Sequence, residues 1–326
     1  MKITTIDAHT AGEPLRIVTS GYPELPGNTM LERRVAARDQ FDHLRRLLML
    51  EPRGHADMYG AVLTPPASGD GDVGVLFLHN EGYSTMCGHG IIALVKVGLE
   101  NDLFAADPGA VRIDTPAGRI VARATMRGDE VTDVAFTNVP SFVVGALTVT
   151  VAGLGAVPCT VAYGGAFYAY VDAEPLGLTL APVHARALID AGMAIKRAVA
   201  AAIELRHPEG RAELNFLYGT IFVAPQTGAH SRNVCIFADG EVDRSPTGTG
   251  VSGRAAILHA RGELGEAWIA IESILGTRFD VRVAGTTAVG AQPAIVPEVR
   301  GRAFVTGRSE YCLDPEDPLG DGFMIR

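Results

Sequence analysis

The chain has 326 residues, 47% of them hydrophobic, and a formal charge of -9. That length favours two domains, each with enough apolar residues for its own core. The negative balance argues against nucleic acid, which needs a concentrated basic surface, and no apolar run approaches the roughly 20 residues that span a bilayer.

In chain order, Met1 to Asp7 reads as a strand and not as a signal peptide. The first strand, within residues 3 to 19, is interrupted at His9-Thr10-Ala11-Gly12-Glu13-Pro14 and resumes from Leu15 to Thr19. After a Pro- and Gly-rich loop, Thr29 with Glu32 three residues on forms a capping-box signature for a helix from about Met30 to Leu50. Leu31, Val35, Leu44, Leu47 and Leu48 supply its apolar stripe, and Arg33, Arg34, Arg38, Arg45 and Arg46 read as its solvated face. Strands are expected at Tyr59 to Leu63 and Val73 to Leu78, then a helix from about Gly88 to Val97 with Gly98 at its C-terminal end. Three strands, Val111 to Ile113, Ile120 to Ala124 and Val131 to Thr137, close the first half near Asn138.

The second half repeats this order. Strands at Val149 to Val151, Val157 to Tyr163 and Phe167 to Val171 lead to a helix near Val183 to Leu205. Strands at Tyr218 to Val223 and Asn233 to Phe237 follow, then a helix opening at Gly248, and alternating strand-like sequence from Trp268 to Val283. The expected organisation is residues 1–138 as one half, 139–311 as the other, and 312–326 returning to the first. This pattern indicates an α/β (or α+β) duplicated fold.

Two glycine-rich stretches answer each other across the duplication. Met86-Cys87-Gly88-His89-Gly90 and Pro246-Thr247-Gly248-Thr249-Gly250 each open a helical run, and Cys87 and Thr247 lie 160 residues apart. Tyr59-Gly60 precedes Cys87 by 28 residues and Tyr218-Gly219 precedes Thr247 by 29. A helix N-terminus carries unpaired N–H groups and a partial positive charge, and glycine lets an anion approach it closely. Two such ends converging on one site would hold a carboxylate from both sides. A thiol at a helix start loses its proton easily, so Cys87 beside a bound α-carboxylate reads as a base for the α-proton, with backbone N–H groups stabilising the developing charge. No metal or cofactor is needed for this logic.

Other readings compete. Gly248-x-Gly250-x-x-Gly253, with Glu272 further on, matches the dinucleotide fingerprint, but a polar loop rather than a strand precedes it. Zinc would draw on Cys87, His89, His55 and His79, without a recognisable ligand spacing. A Cys–His hydrolase would use Cys87 as a nucleophile but leaves the duplication unexplained. A cysteine simply buried among packing glycines must also account for His89, Asp243 and the echo in the other half. Of the other cysteines, Cys159 and Cys235 lie among β-type apolar residues and read as buried hydrophobes. With Cys312 they are widely spaced, so a soluble protein of the reducing cytoplasm with free thiols is expected.

At these residues the chain resembles the proline racemase family, which includes hydroxyproline epimerases and trans-3-hydroxy-L-proline dehydratases. The resemblance runs through Asp7-Ala8-His9-Thr10-Ala11-Gly12-Glu13-Pro14, His55-Ala56-Asp57-Met58-Tyr59-Gly60, Met86 to Gly90, and Asp243-Arg244-Ser245-Pro246-Thr247-Gly248-Thr249-Gly250. It implies a diaminopimelate-epimerase-like fold, two pseudo-symmetric halves each wrapping strands around a central helix, with substrate in the cleft between them. In the racemases and epimerases two thiols work on opposite faces of the α-carbon. Here Thr247 stands at the second position, and threonine is neither a useful acid nor a useful base near neutral pH. That departure resembles the trans-3-hydroxy-L-proline dehydratase branch, in which the carbanion expels a β-hydroxyl. The resemblance further implies that N–H groups at Gly88, His89, Gly248 and Thr249 hold the carboxylate, that His89 and Asp243 face the ring nitrogen, and that Tyr59 and Phe237 pack the ring. His55 and Asp57 match the pattern and are equally compatible with a structural role. The expected partners are a small imino acid and a second copy in a homodimer, with no cofactor, metal, nucleic acid or membrane. A racemase or epimerase tolerating Thr247 through a water, or a non-catalytic imino-acid binder, are the alternatives.

Overall fold

The computed structural model describes residues 2–325. Met1 and Arg326, at the ends of the expected segments 1–138 and 312–326, lie outside the described residues. The chain divides into two compact units, Met1–Phe136 with Arg302–Arg326, and Thr137–Gly301.

In the first unit, β1 (Lys2–Thr10) and β2 (Glu13–Ser20) form an antiparallel hairpin whose strands meet at Thr10 and Glu13. The interruption expected over six residues is thus a two-residue turn, with Ala11 at φ 55° and Gly12 at φ 97°. Positive φ at both central residues matches the twist of the flanking strands. The predicted single helix is two: α1 (Met30–Gln40), with the Thr29–Glu32 capping box formed, and α2 (Asp42–Met49). Phe41, at φ -127° and ψ 15°, breaks the ladder. The break turns Leu44, Leu47, Leu48 and Met49 into the core, while α1 buries Met30, Ala36 and Ala37. The arginines are not one solvated face. Arg45 is buried, pairing with Asp42 at 2.6 Å and donating to the carbonyls of His79 and Asn80, and Arg34 donates to the Tyr83 carbonyl.

β3 (Tyr59–Thr64) runs parallel to β2 and antiparallel to β4 (Val73–His79), with Tyr59 opposite His79. β5 (Tyr83–Ser84) pairs with β4 and delivers the chain to α3 (Gly88–Glu100). Every residue from Gly88 to Gly98 is buried, as befits a helix apolar nearly all round. Gly98 therefore does not end α3. It lies against Phe104, where a Cβ would come within 2.2 Å of the ring, and the helix ends at Asn101, which donates to the Val97 carbonyl. β6 (Val111–Thr115), parallel to β4, then β7 (Gly118–Arg127) and β8 (Glu130–Thr137) follow.

The second unit repeats the plan pair for pair. β9 (Phe142–Val151) and β10 (Gly155–Tyr163) are antiparallel, as are β10 and β11 (Phe167–Asp172). After α4 (Ala185–Ala202), β12 (Leu217–Ala224) runs parallel to β11 and antiparallel to β13 (Ser231–Phe237). Gly219 faces Phe237 across that pair, as Gly60 faces Leu78 in the first unit. β14 (Glu241–Val242) leads into α5 (Gly248–Ala260), buried from Gly248 to Leu258. β15 (Ile269–Glu272) is parallel to β13, and β16 (Arg278–Val289) and β17 (Gln292–Gly301) close the unit. β18 (Ala303–Cys312) then pairs antiparallel with β1 from Lys2 to Thr10. Because this whole strand is hydrogen-bonded to β1, the return to the first unit begins at Arg302, upstream of the expected residue 312. Among the described residues, no helix is long and apolar enough to cross a membrane.

Gly164, between β10 and β11, lets the backbone lie directly against α5. A Cβ there would come within 2.2 Å of the Thr249 carbonyl oxygen and 2.6 Å of the Gly253 nitrogen. We expect Gly164→Ala to lose about 1–3 kcal/mol in a urea titration. Gly145→Ala on β9, where nothing lies within 4 Å of the new methyl group, should show no comparable loss.

Candidate active site

In the first unit the site is built on the start of α3. Cys87 is the N-cap, in extended backbone at φ -143° and ψ 112°, and its Sγ accepts from the Gly90 N–H at 3.2 Å. A sulfur that takes a helix-start N–H is held where negative charge is favoured. Ile91 closes the first helical turn onto the Cys87 carbonyl. The N–H groups of Gly88 and His89 have no intrahelical acceptor, the arrangement of backbone donors that suits an anion. Gly90 is needed for space: a Cβ would lie 2.4 Å from the Phe77 ring and 3.0 Å from Sγ.

His89 Nδ1 lies 3.1 Å from Cys87 Sγ. The ring is buried, and burial pushes its pKa down to about 3, only partly offset by a hydrogen bond to the Pro14 backbone. His89 is therefore neutral at neutral pH. Thr10 donates to the His89 carbonyl at 2.9 Å, so the turn between β1 and β2 and the start of α3 are tied together. Tyr59 packs edge-on against His89 at 4.8 Å and donates to Ser84 at 2.6 Å. His79 stacks on Tyr59, whereas His55 is exposed beside its neighbouring Ala56 carbonyl and Asp57 occupies a turn at φ 61°.

In the second unit Thr247 holds the matching place before α5, but its geometry differs. Its backbone has φ 69° and ψ 98°, a left-handed region that β-branched residues rarely enter. Its hydroxyl does not cap the helix and is buried beside the Asp243 carboxyl. A short ladder holds the loop: Ser245 N–H donates to Asp243 Oδ1 at 2.7 Å, and Thr247 N–H donates to Ser245 Oγ at 3.1 Å. Burial pushes the Asp243 carboxyl above the usual carboxylate range; hydrogen bonding from Ser245, the nearby Thr247 hydroxyl and the Arg244 charge act against it. Val251 closes onto the Thr247 carbonyl, leaving the Gly248, Thr249 and Gly250 N–H groups without an intrahelical acceptor. Phe237 stacks on Tyr218 at 5.3 Å at the end of β13.

Several contributors carried no signal in the sequence. Ser245 sits inside the Asp243–Thr247 stretch, yet only the fold makes it the link between them. Tyr168 bonds the Thr249 hydroxyl at 2.7 Å and Tyr170 donates to the Gly250 carbonyl at 2.7 Å. Both read in sequence as ordinary strand residues. Among the described residues, no three His, Cys, Asp or Glu side chains gather in a way that would hold a metal ion.

A family model described as proline racemase matches residues 5–324. The chain belongs to the proline racemase family. Relatives within it include both dehydratases and epimerases by name. A trans-3-hydroxy-L-proline dehydratase of Colwellia psychrerythraea is 50% identical over 333 residues, covering 100% of this chain and 93% of its own. A 3-hydroxyproline 2-epimerase of Burkholderia multivorans is 45% identical over 330 residues, covering 99% and 98%. A hydroxyproline epimerase of Agrobacterium vitis, solved with bound trans-4-OH-L-proline, superposes with a TM-score of 0.93 at 32% identity over 99% of this chain and 96% of that one. The fold is the diaminopimelate-epimerase-like one expected, with strands wrapped around a central helix in each unit.

The buried neutral His89 has a consequence for stability. Its pKa is about 3 in the folded chain against 6.5 when unperturbed, so below pH 6.5 the unfolded chain takes up the proton first. Stability present above that pH is lost on acidification, by up to about 1.4 kcal/mol per pH unit. Between pH 7 and pH 5 the chain should lose about 2 kcal/mol that His89→Gln does not lose, measured by urea denaturation of both.

Proposed function

We propose that this chain is a cofactor-independent hydro-lyase that converts trans-3-hydroxy-L-proline to Δ1-pyrroline-2-carboxylate and water. The observation that carries the reading is the asymmetry of the two helix starts. One carries a thiol, Cys87, seated on the Gly90 N–H; the other carries only the Thr247 hydroxyl, buried beside Asp243 and not capping its helix. A single thiol gives one proton-transfer group for one face of the α-carbon, and the other face has none suited to neutral pH.

In keeping with the family resemblance, backbone N–H groups at Gly88, His89, Gly248 and Thr249 hold the substrate carboxylate, and these donors stabilise the charge that grows as the α-proton leaves. Neutral His89 does not repel the cationic ring nitrogen, as an imidazolium would, and Asp243 attracts it. Tyr59 and Phe237 pack the ring, and Thr247 hydrogen-bonds the 3-hydroxyl. Cys87 thiolate takes the α-proton, the electron pair forms the Cα–Cβ double bond, and the C3–O bond breaks to expel hydroxide, which with the proton taken up by Cys87 makes up the water lost. The resulting enamine tautomerises to the imine. The dehydratase name of the Colwellia relative supports this reading. The four free cysteines, three of them buried, suit a reducing cytoplasm.

A second reading, epimerisation at C2, has support in the Burkholderia multivorans relative. Incubation with L-proline, trans-4-hydroxy-L-proline and trans-3-hydroxy-L-proline separately, following imine formation and optical rotation, decides between them. We expect imine from the 3-hydroxy compound alone; a D-configured product without imine would favour epimerisation. Cys87→Ser should lower kcat by about 10²- to 10⁴-fold, the worth of a positioned acid–base group. Thr247→Cys should bring in epimerisation, read by optical rotation on L-proline, and no gain would count against the two-face logic.

A further inference from the structure

The second unit contains a pair of adjoining cavities away from the start of α5. They enclose about 320 and 310 Å³ and share Asp172, Val223 and Arg254 as walls. Arg254 lies seven residues beyond Thr247 on α5, about 10 Å along the helix axis, and neither cavity is lined by Asp243, Thr247 or Thr249.

Arg254 is only 9% exposed, and its Nε is buried with no hydrogen-bond partner among the described residues. A guanidinium is a planar fork suited to carboxylate or phosphate, and leaving one buried and unpaired is costly. Ser231, lining the second cavity, also has a buried Oγ without a partner among the described residues. Two unsatisfied donors thus border one space. Burial, reinforced by the neighbouring Arg261 charge, holds the Arg254 pKa below its ordinary value, with Asp172, Tyr170 and Glu263 acting against that shift. Asp172 is close enough to act on it electrostatically but forms no ion pair with it. Asp172 and Glu174, both exposed, border the second cavity.

Buried donors inside and carboxylates at the edge define a ligand with an anionic end and a cationic end. A dianion such as phosphate would meet Arg254 but be repelled by the two carboxylates. The volume suits a small metabolite. We propose that this cavity is a second binding site, for a zwitterionic amino or imino acid, with the ligand carboxylate on Arg254 and Ser231 and its ammonium on Asp172 and Glu174. The site goes beyond the proposed reaction and does not depend on it. Occupied, it would load α5, the helix whose first turn carries Thr247.

The test is calorimetric titration of the full chain with L-proline, which lacks a 3-hydroxyl to expel. We expect two equivalents bound per chain, falling to one in Arg254→Gln. Ala224→Trp, which fills the same cavity from the end of β12 while leaving Arg254 in place, should also bind one. One equivalent in the parent chain and one in both variants would overturn the second site, as would two equivalents in a folded Ala224→Trp protein. One equivalent in the parent chain and none in the variants would keep the second site and instead count against imino-acid binding at Cys87. Displacement of the second equivalent by inorganic phosphate at equal concentration would contradict the zwitterion assignment.

Discussion

The structure depends on two buried helices whose first turns are left open. A helix start has N–H groups that its own backbone does not satisfy, and burying them normally requires a cap. At α3 the cap is the Cys87 sulfur, which accepts from Gly90 at 3.2 Å, and the N–H groups before it have no intrahelical acceptor. The surrounding strands exist to bury these helices while holding their starts in place. β1, β2 and β18 pack around α3, and β9, β10 and β17 around α5. Glycine appears wherever that wrapping is tightest, as at Gly90 against Phe77 and Gly164 against the Thr249 carbonyl.

The two starts then diverge in chemistry and in backbone. Cys87 rests in ordinary extended conformation, while Thr247 is held at φ 69°. A β-branched residue in that region costs on the order of 1–3 kcal/mol and persists only where its surroundings over-determine it. The Asp243–Ser245–Thr247 ladder supplies that determination. With its backbone turned this way, the threonine hydroxyl is withheld from the helix cap. In the proposed reaction that leaves it for the substrate hydroxyl.

Much of this was legible in the residues, and the parts that were not share a cause. The repeat of Tyr-Gly, then a residue before Gly-x-Gly, located both helix starts because close packing and anion approach each demand glycine at fixed positions. The Thr29 capping box likewise marked α1, since both of its bonds are local. By contrast, the burial of Arg45 depends on distant partners, the His79 and Asn80 carbonyls, and the place of Gly98 inside α3 depends on the Phe104 ring folding back past the helix end. Ser245, Tyr168 and Tyr170 stayed hidden for the same reason. Their hydroxyls matter only once the strands and loops around them have been assembled.

The central claim is that one sulfur serves one face of the α-carbon and nothing acidic serves the other. Partial conversion of trans-3-hydroxy-L-proline in D2O, with the unreacted substrate recovered and its C2 configuration and deuterium content analysed, tests it most directly. The account predicts that any deuterium at C2 appears with the original configuration retained. Recovery of the inverted C2 epimer carrying deuterium would contradict it.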